Sequence, residues 1–123
     1  MYEEAIFIVI IILFSIHEID AVRTGEWRML PVLKDMADGT AVKVFVLVHI
    51  PLYAIMICIL IWGSTSAVEA LYCTASILLI FHTAIHFVMR NHPKNGFTSV
   101  FSNGVIYSMG ILAAVHLCIL IFG

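Results

Sequence analysis

Four long apolar stretches separated by polar breaks dominate the chain: Ala5–Ala21, Val42–Trp62, Ala67–Met89 and about Val100–Phe122. Each approaches the roughly 20 residues that a helix needs to cross about 30 Å of hydrocarbon. The pattern predicts an all-α fold, a four-helix transmembrane bundle forming a single domain over residues 1–123. Gly63-Ser-Thr-Ser66 is a tight polar turn that makes the second and third helices antiparallel neighbours. In Arg90–Gly96, Pro93 and Asn95-Gly96 end the third helix and reverse the chain. The first connection, Val22–Ala41, mixes Trp27, Met29, Leu30, Val32 and Leu33 with Arg23, Arg28 and Lys34, which predicts a short helix lying in the headgroup region.

Composition agrees with bilayer as the solvent: 63% of residues are hydrophobic and the mean hydropathy is +1.10. A formal net charge of −2 leaves no basic patch for nucleic acid. The first residues carry Glu3 and Glu4 in place of a basic start, so the opening apolar run reads as a permanent span, not a secretory signal. Cys58, Cys73 and Cys118 lie in apolar segments without a CxxC pair and read as packing residues.

Charge also sets an expected orientation. The six basic residues, Arg23, Arg28, Lys34, Lys43, Arg90 and Lys94, all fall at the end of the bundle that holds the first and third connections. By the positive-inside rule that end is cytoplasmic and both termini are extracytoplasmic. Gly104/Ser108 and Gly110/Ala114 place small residues at helical spacing, where backbones approach closely within one chain or between copies, so a homo-oligomer is among the expectations.

Ionisable groups inside spans are costly and default to a functional reading. Here the first helix ends in His17-Glu18-Ile19-Asp20, the second carries His49, the third His82 and His86, and the fourth His116. At 1.5 Å per residue, His17, His49, His82 and His86 all reach the cytoplasmic half of the bundle. His82 and His86 share one helix face at i and i+4, and His17 and Asp20 share another at i and i+3. Imidazole and carboxylate at this convergence are ligands for a divalent metal ion, zinc or iron. The expected ligand set is His17, Asp20, His49, His82 and His86, with Glu18 and Glu26 as candidate catalytic bases and Asn103 and Tyr107 as residues that orient ligands. His116 lies at another depth and reads as an interhelical histidine with Glu69 as a candidate partner. His92 and Glu26 read first as solvated loop residues, and otherwise as groups that close over the site.

Ser15-Ile-His17-Glu18-Ile-Asp20-Ala21, followed by Glu26-Trp27-Arg28 and later membrane histidines, resembles small uncharacterised bacterial membrane proteins named for an HXXEE motif. Here an aspartate stands for one closing acid of the motif and Ala21 for the other. The resemblance implies a four-span layout in a bacterial inner membrane and no settled activity. His82-xxx-His86 also looks like one element of membrane fatty-acid hydroxylases and of membrane ceramidase-like hydrolases, which implies only that such a pair binds metal. The expected function is a metal-dependent membrane enzyme that hydrolyses or oxidises a lipid or another hydrophobic small molecule. A metal-ion transporter and a haem-binding electron carrier are the alternatives, the haem lying between His49 and His82 or His86.

Overall fold

The computed structural model describes residues 2–123. Its four helices are α1 (Tyr2–Thr24), α2 (Asp38–Trp62), α3 (Thr65–Met89) and α4 (Val100–Phe122). All four are long and apolar enough to cross a membrane, as an integral membrane protein requires. In hydrocarbon every backbone N–H and C=O must be satisfied internally, so apolar runs of this length form helices. Polar residues set the ends: Ser64 accepts from the Ala67 N–H at 3.3 Å and Ser99 from the Ser102 N–H at 3.0 Å, so serine caps open both α3 and α4.

Helix α4 is the centre of the bundle, packing extensively against both α3 and α1. Gly110 of α4 allows this approach. A Cβ there would meet the Thr83 side chain of α3 at 2.6 Å, and Thr83 donates to the Ile106 carbonyl at 3.2 Å. Of the two small-residue pairs, Gly110 is therefore used within the chain, while Gly104 has open space beside it. Two apolar layers stack along the bundle. Ile10, Leu79, Met109 and Ala113 form one near its middle, and Ala21, Trp27, Phe45, Phe97 and Ile106 belong to the other, at the end that holds the first and third connections.

Helix α2 stands further out and buries only Ala41 and Phe45. Polar contacts hold it to α1. Ser15 donates its one proton to the Ile11 carbonyl at 2.9 Å, so the Tyr53 hydroxyl is the donor in its 3.0 Å contact with Ser15 Oγ.

The first connection carries a three-residue 3-10 turn, Glu26–Arg28, where a short headgroup helix is expected from sequence. Gly25, at φ 75°, ends α1 in the left-handed conformation that glycine adopts without a Cβ penalty, and its N–H donates to the Ala21 carbonyl at 2.9 Å. That reversal turns Glu26 and Trp27 into the bundle, and the buried Trp27 and Leu33 join the apolar layer instead of lying on a surface. Asp38 fastens the connection by pairing with Arg28 at 2.7 Å.

Candidate metal centre

Four side chains meet at this end of the bundle: His17 from α1, Glu26 from the 3-10 turn, and His82 and His86 from α3. One ligand atom from each lies within 4.8 Å of every other. His82 Nε2 is 2.8 Å from His17 Nε2 and 3.2 Å from His86 Nε2. Glu26 Oε2 is 3.6 Å from His17 Nε2, and its Oε1 is 3.4 Å from His86 Nε2. Zinc bonds of about 2.0–2.1 Å put tetrahedral donors about 3.3 Å apart, and these spacings bracket that value.

Lone-pair accounting supports the same conclusion. In a neutral imidazole one ring nitrogen carries the proton and the other a lone pair, so each of the three rings can turn a lone pair on Nε2 to a shared ion when its proton sits on Nδ1. Glu26 Oε2 is buried without a hydrogen-bond partner. A buried carboxylate with three imidazoles around it is a donor set that suits a divalent cation. Burial alone pushes the Glu26 carboxyl upward, but its contact with His86 and the nearby His17, His86 and His82 rings hold it below the ordinary carboxylate range. Phe97, buried in the α3–α4 connection, covers the group with its ring 5.2 Å from that of His17 and 4.8 Å from that of His86. Among the described residues, no second group of three or more such ligands meets this closely.

The structure brings together His17, His82 and His86 from the expected ligand set and adds Glu26. Asp20 and His49 are not brought to the group. Asp20 turns to Arg23, one turn on, with Oδ1 2.6 Å from a guanidinium nitrogen. His49 lies 2.7 Å from Glu18, because α2 stands beside the face of α1 that carries Glu18. Asn103 donates to the Phe97 and Ser99 carbonyls and belongs to the start of α4, while Tyr107 packs against the apolar layer. His92 accepts the Lys94 backbone N–H within its own turn. His116 pairs with Ser76 at 2.8 Å, whereas Glu69 is exposed. Sequence reasoning missed Phe97 and Tyr53. In the sequence Glu26 reads as a loop residue that can close over the site as an extra ligand or base, and the structure brings it to the three histidines.

Glu18 and His49 form a second, distinct device. His49 Nδ1 is 2.7 Å from the Phe45 carbonyl, which can only accept, so Nδ1 carries a proton. Its Nε2 faces Glu18 Oε2 at 2.7 Å. The Phe14 ring neighbours both devices, 6.5 Å from the His49 ring and 6.4 Å from that of His82.

No curated protein and no solved structure matches the chain. A family model does, over residues 3–122. That match carries no information about an HXXEE motif, and its own description assigns no activity. With nearly the whole of its length covered, the chain belongs to the family of unknown function DUF6713.

Proposed function

We propose that this protein is a metal-dependent membrane enzyme that acts on a lipid or another hydrophobic molecule entering from the bilayer. The observation that carries the reading is the convergence of His17, Glu26, His82 and His86 within 4.8 Å inside a membrane bundle. A divalent ion there would polarise a carbonyl or phosphoryl oxygen, or activate water or dioxygen. Around it, the three imidazoles would fix the centre, Phe97 would exclude bulk water, and Glu18–His49 would take up and return a proton.

Metal identity sharpens the reading. Four protein donors complete a tetrahedral zinc site, the arrangement of structural zinc, so hydrolysis would require Glu26 to release and act as the base. An ion that accepts more than four ligands, as iron does, leaves room for a reactant and favours oxygen-dependent oxidation. Haem receives little support, because His49 Nε2 faces Glu18 and His82 Nε2 faces His17. The location proposed is a bacterial inner membrane with the centre on the cytoplasmic side and both termini outside. Six basic residues at that end of the bundle support the orientation.

Elemental analysis with an absorption spectrum tests the reading on purified protein. One iron or zinc per chain, lost in His82→Ala, is the expected result. A protein that purifies without metal and does not take up either ion on addition would refute it.

A further inference from the structure

Between α1, α2 and α3 runs a cavity of about 410 Å³, open sideways where Ile55, Leu78 and Phe81 are exposed. Along α3 its lining extends from Leu71 to Ile85, 14 residues or about 21 Å at 1.5 Å per residue. That length suits an extended hydrocarbon chain lying along α3. The walls are apolar along most of the length. Toward the inner end they include His82, a member of the metal group, and Tyr53, whose hydroxyl is tied to Ser15.

From these features we infer that the cavity binds a long-chain acyl compound, its tail along α3 toward Leu71 and its carboxyl or ester oxygen at His82. The inference rests on the metal-enzyme reading and names the substrate class for it. Length agrees: His82 to Leu71 is 11 residues, or about 16 Å, close to one leaflet of a core about 30 Å thick. Selectivity comes from the head. Lipid tails are as apolar as the groove, so moving a bare alkane from bilayer to groove gains little. An oxygen-bearing head next to a cation and an imidazole adds an attraction that the hydrocarbon around it lacks.

A palmitic acid analogue with a diazirine at the tail end tests this in phosphatidylcholine nanodiscs holding the full chain. Crosslinks are expected at Leu71, Thr74 and Ala75, saturable, and competed by palmitate but not by hexadecane. Ala75→Trp fills the groove away from the metal donors and should reduce crosslinking at least about tenfold with metal content unchanged. Leu71→Trp gives an independent block if the first variant does not fold. Crosslinking spread equally over the lipid-facing Ile111 and Val115 of α4, or equal competition by hexadecane, would overturn the inference. Metal content of the same samples separates the two readings. Bound metal with unsaturable labelling removes the acyl site alone, whereas saturable labelling at the groove without metal keeps the acyl site and removes the metal.

Discussion

Two polar layers interrupt the apolar bundle, and both are built on buried histidine. At one end His17, His82 and His86 meet Glu26. Toward the other, beyond the layer of Ile10, Leu79, Met109 and Ala113, His116 meets Ser76. Burial does not distinguish them: His116 is 0% exposed and His86 8%. What differs is the supply of protons. The Ser76 hydroxyl both donates and accepts, so it satisfies His116 Nδ1 whichever way that ring is protonated. His116 Nε2, which has no hydrogen-bond partner, lies among the Phe7 and Tyr72 rings at centroid distances of 5.7 and 5.6 Å, whose faces accept an N–H weakly. The Glu26 layer instead sets a carboxylate among three imidazoles, a donor set that suits a divalent cation. The apolar layer between the two also argues against a continuous ion path through the bundle.

The largest expected effect separates the layers by metal affinity. His86→Ala and Glu26→Gln should weaken binding by more than the roughly 10–100-fold typical of residues that only orient ligands. His116→Ala should leave affinity at the wild-type value. Titration of the apo variants with iron or zinc measures both, and equal losses in all three would erase the distinction drawn here.

Acid should act on the Glu26 layer in a particular sense. The Glu26 carboxyl is held below its ordinary value of 4.5 in the folded chain. A depressed carboxylate contributes stability that is present above the ordinary value and lost as pH falls through the folded one. Wild-type apoprotein in detergent should therefore lose thermal stability below about pH 4.5 more steeply than Glu26→Gln. Parallel curves would contradict the placement of an ionised Glu26 among the histidines.

Smaller effects follow elsewhere. Ser76→Ala removes the hydrogen bond of His116 and should lower stability by about 0.5–1.5 kcal/mol without touching metal content. Asp20→Asn should leave metal content unchanged, since Asp20 turns to Arg23 and not to the histidine group. Metal loss in Asp20→Asn comparable to that in His86→Ala would restore Asp20 to the ligand set.

The helices were largely legible because apolar run length is a one-dimensional signal: Trp62, Met89 and the Val100–Phe122 span fall where hydropathy predicts. Depth was legible too, which is why His17, His82 and His86 emerge together. Rotation about the helix axis and loop direction were not. Asp20 is only about 60° round from His17, yet Arg23 lies one turn beyond and offers a full charge. His49 has the right depth, but the sideways position of α2 is a tertiary fact that turns it to Glu18. Glu26 enters through the left-handed Gly25, whose effect on chain direction no periodicity encodes. Phe97 carries no polar signature at all.

Metal-edge X-ray absorption on the purified wild-type chain, compared with His82→Ala, reads the ligand shell of the proposed centre itself. The expected result is one ion per chain in a shell of nitrogen and oxygen only, with the multiple scattering of about three imidazoles. That signal should vanish in His82→Ala and persist in His116→Ala. A sulfur-containing shell, an ion surrounded by water alone, or an unchanged spectrum in His82→Ala would contradict it.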